Sequence, residues 1–440
     1  MYLIDLQLCK ERLKRTIYLE SILLNYTPDR FEFVTNLIKS LDESTREYAQ
    51  ILIFEGYVRA TKESIDYKIL WESLYPNSPM QNFSTLDEFN EKMFIISASI
   101  VNTIEDNMKT SRVLRSIFYD DVEEFKGQFR NEDLNRRFIF LNDQKADSSD
   151  QVSYIEYASF FGSYQICKFL LDLGANMSYR CITNSVKSGS IRCYSLFEGE
   201  VINFTELLEI AINYHRHDFV QIFYDKVKSD ISYIQKAILN MDSEFFITCV
   251  ENQEDYETNE VDPLVSSAIA GNAELFKILL QCGFDIHSSD PDGNSILTIT
   301  SLFGHLEIAK ATIATGLYTV EDIKRASIVA INCAKEDVAL YMLQYLHSHD
   351  NCVPTAFHLY HAVNAYCPKV VEYICKFHPD YGYKTRNGVN LLEFSLLIKK
   401  YDLTAIMLNN GADVNLIKKV DIKEEPYYSE LRDFIPDCFD

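Results

Sequence analysis

Nine small residues recur in this sequence at intervals of 26 to 33 positions, and this repetition limits the fold more than any other feature. These anchors are Ala158, Ser185, Ala211, Ala237, Ser267, Thr300, Ala330, Ala362 and Ser395. The positions three before, eight after and twelve after each anchor are apolar in 25 of 27 cases, where a composition that is 47% hydrophobic gives about 13. The pattern therefore predicts one stack of similar units rather than several closed domains.

The spacing inside each unit predicts two helices joined by a tight turn. A small anchor on the first helix lets the second helix approach closely, and the apolar positions face the pair and the neighbouring unit. The residue four after the anchor is often glycine, which adopts the positive φ that ends a helix. These glycines are Gly162, Gly189, Gly271 and Gly304. His215 and Met241 take this place in the third and fourth units, which predicts irregular turns there.

Short motifs give the repeat a family resemblance. Ser295–Thr300 reads SILTIT, Asp262–Ser267 reads DPLVSS, Gly304 precedes a histidine, and Gly411–Asn415 reads GADVN. Together they resemble the ankyrin repeat, with its T-P-L-H-x-A motif, its Gly-His pair and its Gly-Ala-Asp-Val-Asn ending. The resemblance runs from about Ser153 to Asn415. The tract YIEYASFFGSYQICKFL is also similar to a divergent branch of the family that is expanded in parasitic protists.

The resemblance implies an all-α, ankyrin-type α-solenoid of helix-turn-helix repeats, with short β-hairpin fingers in some units. Units two to four span only 26 or 27 residues, so we expect their fingers to be trimmed or missing. We divide the chain into an all-α N-terminal domain (1–110), a degenerate leading repeat and connector (111–150), the repeat array (151–416) and an acidic C-terminal cap or tail (417–440).

Apolar patterning predicts the helices of the N-terminal domain. They are Cys9–Asn25, Phe31–Leu41, Ser44–Lys62, Tyr67–Tyr75 and Thr85–Met108, the last with capping-box spacing at its start. Because the exposed end of a solenoid needs a polar cap, we expect this domain to cover the first repeat. An independent binding role is the alternative.

Two acidic segments have alternative interpretations. The C-terminal segment contains Tyr427, Tyr428, Phe434 and Phe439, and predicts either a capping helix over Tyr427–Ile435 or a peptide that recruits a partner. The segment ENQEDYETNEVD (251–262) predicts a solvated loop between repeats, or a docking patch for a basic partner.

The charge and cysteine content limit the partners and the compartment. The chain has 42 Lys and Arg against 65 Asp and Glu, a net charge of −23, and no basic cluster, which argues against nucleic acid and anionic membranes as partners. The apolar run Met93–Ile104 is too short to span a bilayer. The start of the chain does not read as a signal peptide, and its 11 cysteines are an odd number without a CxxC motif. We therefore expect a reduced, cytoplasmic protein.

Motifs for catalysis are absent from the sequence. It has no nucleotide-binding glycine loop, HExxH, GxSxG or EF-hand pattern, so we predict no enzymatic activity and no cofactor. The nearest approach to a metal site is a His/Cys-rich stretch, which predicts either zinc binding or ordinary surface histidines and buried cysteines. Its members are His347, His349, Cys352, His358, His361, Cys367, Cys375 and His378.

The resemblance implies that a protein partner binds the concave face, through finger tips and the exposed end of the first helices. The matching finger positions are Ser289, Pro291, Asp292 and Asn294 in one unit and Arg386, Asn387 and Val389 in another. The matching first-helix positions are Phe160, Phe161, Asn213, Tyr214, Leu302, Phe303, Asn332, Asn364, Leu397 and Ile398. Aromatic residues there are either binding hot spots or packing contacts between units. We thus predict a protein-interaction scaffold; the alternatives are an adaptor that docks through its N-terminal helices and a zinc-binding protein.

Overall fold

The computed structural model describes residues 6–24, 26–41, 43–58, 64–76, 102–129, 134–139, 151–197, 203–227, 233–252, 261–385 and 388–417. The chain divides into two compact parts, each made of several repeats or helices. We call them unit 1, which extends to Ser266, and unit 2, which begins at Ser267. Within the described residues, no helix is long and apolar enough to cross a membrane.

Six described helices precede the repeats. They are α1 (Leu6–Arg12), α2 (Lys14–Leu23), α3 (Phe31–Ser40), α4 (Glu43–Val58), α5 (Ser64–Leu74) and α6 (102–110). The helix predicted over Cys9–Asn25 is divided at Leu13, and α3 to α5 follow the predicted spans closely. The capping box predicted at the start of Thr85–Met108 lies outside the described residues.

The repeats follow as helix pairs, in which the odd-numbered helix is the first. The leading pair is α7 (Arg112–Tyr119) and α8 (Val122–Gln128). The next four pairs are α9 (Tyr154–Phe160) and α10 (Tyr164–Asp172), α11 (Tyr179–Lys187) and α12 (Ile191–Tyr194), α13 (Phe204–Asn213) and α14 (His217–Tyr224), α15 (Ile234–Leu239) and α16 (Ser243–Glu251). The last five are α17 (Pro263–Ala270) and α18 (Ala273–Gln281), α19 (Ile296–Phe303) and α20 (Leu306–Ala314), α21 (Val320–Asn332) and α22 (Glu336–Asp350), α23 (Ala356–Asn364) and α24 (Pro368–Cys375), α25 (Leu391–Leu397) and α26 (Tyr401–Asn409).

The repeat register read from the sequence matches the core. All nine anchors are buried, and so are all 27 positions three before, eight after and twelve after them. Ser327, a polar exception to the apolar pattern, is fully buried because its hydroxyl donates a hydrogen bond to the Lys324 carbonyl oxygen (2.7 Å). The predicted all-α stack of helix-turn-helix repeats is confirmed.

The turn between the paired helices has the same geometry in every repeat. The residue four after each anchor has a positive φ, whether or not it is glycine. The non-glycine members are His215, Met241, Ala334, Tyr366 and Lys399, with φ between 52° and 60°. The next residue donates its N–H to the anchor carbonyl oxygen, as Arg216 does to Ala211 (2.8 Å) and Asp242 to Ala237 (2.9 Å).

The prediction of irregular turns at His215 and Met241 is therefore wrong. The hydrogen bond back to the anchor holds these side-chain-bearing residues in a region that glycine occupies at lower cost. The leading repeat obeys the same rule, since Asp120 has φ 54° and Asp121 donates its N–H to the carbonyl oxygen of buried Ser116 (2.9 Å).

Strand structure is limited in the described residues. β1 (Arg137–Ile139) pairs antiparallel with β2 (Gln151–Ser153) ahead of the first repeat, a pair that the sequence did not indicate. Isolated bridges join Ser289 to Ser295 and Lys384 to Asn390, at the two predicted fingers.

The N-terminal helices are attached to the fourth repeat. α1 and α2 pack on α16, whereas the leading pair α7–α8 lies against α9 and α10 of the first repeat. The leading pair therefore covers part of the first repeat, and the cap that we predicted the N-terminal domain to form there stays a prediction. Lys10 on α1 forms an ion pair with Glu251 on α16.

A buried carboxyl group holds this attachment together. Glu20 on α2 is 4% exposed and accepts hydrogen bonds from the Ser243 N–H (2.9 Å), the Ser243 hydroxyl (2.8 Å) and the Tyr48 hydroxyl (2.6 Å). Burial, helped by the nearby Asp242 carboxylate and opposed by these hydrogen bonds, raises the pKa of Glu20 to about 8. Asp242 itself accepts from the Phe245 N–H (2.9 Å) and lies 3.6 Å from His217 Nδ1.

Candidate functional site: the first-helix face

The exposed sides of the first helices and the fingers form the candidate site. We call this surface the first-helix face. Because every core position of the repeat points inward, the remaining positions of the first helices are free to vary in chemistry. The face differs between the two units.

In unit 2 the first-helix face is apolar and aromatic. Phe357 on α23 is 42% exposed and Leu397 on α25 is 64% exposed. The rings of Tyr360 on α23 and Phe394 on α25 lie 5.4 Å apart and link these two helices. The predicted residue Leu397 is therefore accessible, whereas Phe357 lies seven residues, or about two helical turns, before Asn364, the position that the sequence analysis selected on α23.

A polar contact continues this face to the preceding helix. His361 Nδ1 lies 2.6 Å from Asn332 Oδ1 on α21, and the His361 ring meets Phe357 edge to face at 4.5 Å. Asn332 and Asn364, both predicted face residues, are exposed, while Ile398 is half-buried. Three successive first helices thus share one continuous surface.

The first finger has a defined turn. Asp290 accepts hydrogen bonds from the Asn294 backbone N–H (2.7 Å) and side-chain amide (2.9 Å), so Asn294 is committed to holding the turn. Ser289, Pro291 and Asp292 are exposed on it. The predicted finger residues therefore divide into three accessible ones and one structural one.

The second finger is described in part. Val389 is half-buried, and its carbonyl oxygen accepts from the Thr385 N–H (2.8 Å). The predicted residues Arg386 and Asn387 lie outside the described residues.

Leu302 and Phe303 end α19 and are half-buried. The Phe303 ring stacks on His305 with centroids 5.9 Å apart. His305 Nε2 is 3.2 Å from the Ile269 carbonyl oxygen, and burial lowers the pKa of His305 to about 4. Phe303 therefore packs on His305 and remains partly exposed.

In unit 1 the two predicted phenylalanines differ. Phe161 is 6% exposed, with its ring 5.2 Å from Phe118 and 4.7 Å from Tyr157. It joins the leading repeat to the first repeat and is not accessible to a partner. Phe160 is half-buried beside it.

Tyr214 has a basic neighbour that sequence reasoning missed. Tyr214 is half-buried and its predicted neighbour Asn213 is exposed. Lys187 Nζ lies 5.7 Å from the Tyr214 ring centroid, within cation–π range. Lys187 stands two residues after the anchor Ser185, so the rule that selected Leu302 and Leu397 also selects it.

The His/Cys-rich stretch does not assemble as a metal site. All eight residues are described, and the described part of the chain brings no three potential ligands together. Burial raises the pKa of Cys367 to about 12 and of Cys375 to about 11, so both stay thiols. His358 Nδ1 lies 3.2 Å from the Thr355 N–H nitrogen that caps α23. Cys367, Cys375 and His358 are therefore explained by core packing and helix capping.

Comparison with known proteins also indicates similarity to ankyrin repeats. No protein-family model matches this sequence. A protein of Acanthamoeba polyphaga mimivirus that is named as an ankyrin repeat protein is 27% identical over 164 residues, which is 34% of this chain and 21% of the viral protein. The chain is similar to ankyrin repeat proteins. It spans about a fifth of the length of that relative.

A solved structure is also similar. The ankyrin repeat domain of human ASB11 matches 42% of this chain and 90% of its own length, with a TM-score of 0.32 and 16% identity. The relative found by sequence is viral, so the similarity to a branch of parasitic protists stays a prediction.

Proposed function

We propose that this protein is a non-enzymatic interaction scaffold that binds a protein partner on the concave, first-helix face of its ankyrin-type repeats. The observation that carries the proposal is the exposed apolar surface of unit 2. Phe357 and Leu397 face solvent although every core position of the repeat is buried. Large apolar side chains that stay exposed on one face of a repeat array are typical of interaction sites.

The rings beside these two residues strengthen the proposal. Tyr360 and Phe394 are packed against each other and so lose little side-chain entropy on binding. Aromatic residues held in this way are the usual hot spots of protein interfaces, each contributing about 2 kcal/mol or more.

Affinity capture from cell extract tests the proposal with the full chain. We expect a Phe357→Ala, Leu397→Ala double variant to lose partners that the unchanged protein retains. Leu173→Ala is the matched control, because Leu173 is 39% exposed but ends a second helix, α10. Identical partner lists for all three proteins would reject the first-helix face of unit 2 as the binding surface.

An adaptor function through the N-terminal helices is a second candidate. Tyr18 on α2, Phe33 on α3 and Ile69 on α5 are each more than half exposed. If they dock into a larger complex, Phe33→Ala should remove a set of partners different from the set that depends on Phe357 and Leu397. Loss of the same set of partners would argue against the adaptor function, and the scaffold function would remain as the one proposal.

A further inference from the structure

Three exposed apolar side chains lie at one edge of unit 2. Leu317 is 57% exposed, Val353 is 50% exposed and Phe357 is 42% exposed. Leu317 and Val353 occupy equivalent places, each two residues before the threonine at the N-cap of a first helix, and Phe357 is the second residue of α23. Large apolar side chains exposed at equivalent places in adjacent repeats point to a docking surface, since singly scattered ones follow no register.

These residues lie where two repeats have no finger. Bridges mark one finger before α19, at Ser295, and one before α25, at Asn390. The two repeats between them begin with α21 and α23, and the loops before these helices are fully described and form no bridge. The side chains that fingers would flank are therefore open at this edge. We call Leu317, Val353 and Phe357 the finger-gap strip.

The chain leaves the described residues beside this strip. The side-chain amide of Asn390, which caps α25, donates a hydrogen bond to the Leu416 carbonyl oxygen (2.7 Å). This bond holds the last described residues, which end at Ile417, at the start of α25. The first helices α23 and α25 pack against each other. Because packed helices lie about 8–10 Å apart, the exit point is about one helix spacing from the repeat that carries Val353 and Phe357.

The segment that follows is rich in aromatic residues. Residues 418–440 lie outside the described residues and contain Tyr427, Tyr428, Phe434 and Phe439. The first of these rings comes ten residues after the last described residue, and ten residues of extended chain span up to about 33 Å. Two helix spacings, about 20 Å, separate the start of α25 from the start of α21. The rings can therefore reach the whole strip without any change in the repeats.

We propose that the segment 418–440 folds back over the finger-gap strip through its aromatic residues and competes there with the protein partner. This regulation rests on the proposed function, because Phe357 belongs to both surfaces. A tethered segment meets its surface at an effective concentration of about 1 mM, so a contact with a Kd of about 0.5 mM keeps the strip about two-thirds covered. A partner then binds about threefold more weakly than it binds an uncovered strip.

The size of the strip favours the tethered segment over a second copy of the chain. A stable interface between two proteins has about 20–30 residues on each side, and the strip has three exposed side chains. Two free chains at about 1 μM would need a contact about a thousand times tighter to cover the strip to the same extent. A small apolar contact is thus sufficient only for a segment that the chain itself holds nearby.

Hydroxyl-radical footprinting of the full-length protein, read by mass spectrometry, tests the contact. The test variant is Tyr427→Ser, Tyr428→Ser, Phe434→Ser, which leaves every described residue unchanged. We expect the labelling of Leu317 and Phe357 to rise about threefold in this variant, because a cover of about two-thirds is lost.

Controls separate this contact from a general change in structure. Leu397, the exposed last residue of α25, should be labelled equally in both proteins, and Leu403, which is fully buried, shows whether unit 2 is folded. Glu430→Ser is the matched control variant, because it changes the same segment and keeps every ring. In the reverse direction, Val353→Ser should raise the labelling of Phe434.

Each outcome decides the proposal. Equal labelling of the strip in the unchanged protein and the test variant would overturn it, and so would a rise of the same size at Leu397 or in Glu430→Ser. Protection of the strip that disappears on dilution would assign the cover to a second copy of the chain instead.

Capture of partners is measured separately, so the two proposals can fail independently. If capture depends on Phe357 and Leu397 while the labelling does not change, the proposed function stands without the fold-back contact. If the labelling changes but capture is insensitive to both residues, the contact is supported and its competition with a partner is overturned.

Discussion

Units 1 and 2 have the same repeat core but opposite surfaces on their first helices. Unit 1 carries Arg180 and Lys187 on α11, whereas unit 2 carries Phe357 on α23 and Leu397 on α25. The core positions beneath them are buried in both units. The packing of the repeat therefore leaves the face free, and each unit can select a partner of different chemistry.

The units also differ in what accompanies the repeats. In unit 1 a buried acid on α2 caps α16, and in unit 2 a half-buried histidine, His305, lies within hydrogen-bond distance of the Ile269 carbonyl oxygen. An acid with a raised pKa and a base with a lowered pKa respond to pH in opposite directions. The comparison can be tested through this difference.

The largest effect should come from Glu20. Its folded-state pKa is raised from 4.5 to about 8, so the stabilisation is fully present below about pH 4.5 and is lost as the pH rises through 8. We expect unit 1 to lose several kcal/mol of stability over this range. Urea unfolding followed by Trp71, the only tryptophan in the chain, measures it. Glu20→Gln should abolish the loss between about pH 4.5 and 8; an unchanged pH profile would contradict the role of Glu20.

Unit 2 should respond to acid instead. The folded-state pKa of His305 is lowered from 6.5 to about 4, so its contribution is present above 6.5 and is lost as the pH falls toward 4. The expected loss is a few kcal/mol. Hydrogen exchange in α20 measures this loss. His305→Asn should remove the acid sensitivity of unit 2, whereas Glu20→Gln should leave that sensitivity unchanged.

Two glycines, one in each unit, separate backbone strain from side-chain contact. Gly304 and Gly174 have φ of 87° and 88°, but a Cβ on Gly304 would lie 2.8 Å from Lys335 Cδ while one on Gly174 meets nothing within 4 Å. Gly174→Ala should cost about 1 kcal/mol and Gly304→Ala about 2–3 kcal/mol. Thermal unfolding compares them. Equal costs would show that Lys335 moves aside freely.

Salt should have a small effect on the first-helix face of unit 2. Partner binding that depends on Phe357 and Leu397 should change little between low and physiological salt, since burial of apolar surface is not screened. Affinity capture at the two salt concentrations measures it. A steep loss of partners at the higher concentration would contradict an apolar contact.

The smallest effect should be a gain at a turn of unit 2. Ala334 has φ 54°, and Ala334→Gly should stabilise the protein by about 0.5–1 kcal/mol because glycine adopts this conformation without strain. Ala311→Gly is the control within helix α20 and should destabilise by a similar amount. In unit 1, Met241→Gly should not gain, since Met241 is 6% exposed and its packing would be lost.

Some of the candidate site followed from the sequence and some did not. The repeat register placed Leu397 and Asp292 on the accessible surface, but the same register also selected Phe161, which the leading repeat buries. Lys187 occupies the same register position as Leu302 and Leu397, two residues after its anchor Ser185, but is not among the predicted face residues.

The sequence by itself determined the period of the repeat, its anchors and its buried positions. Each repeat must bury the same side of the same two helices against its neighbours, so the pattern recurs along the chain. The tertiary structure decided how α2 meets α16, where Glu20 bonds to Ser243 across 223 positions of sequence. It also decided which turn residues other than glycine are held at positive φ. The hydrogen bonds from Arg137 and Arg180 to the Gln151 carbonyl oxygen depend on the tertiary structure as well. These features depend on contacts between segments far apart in the chain, and a local pattern carries no information about such contacts.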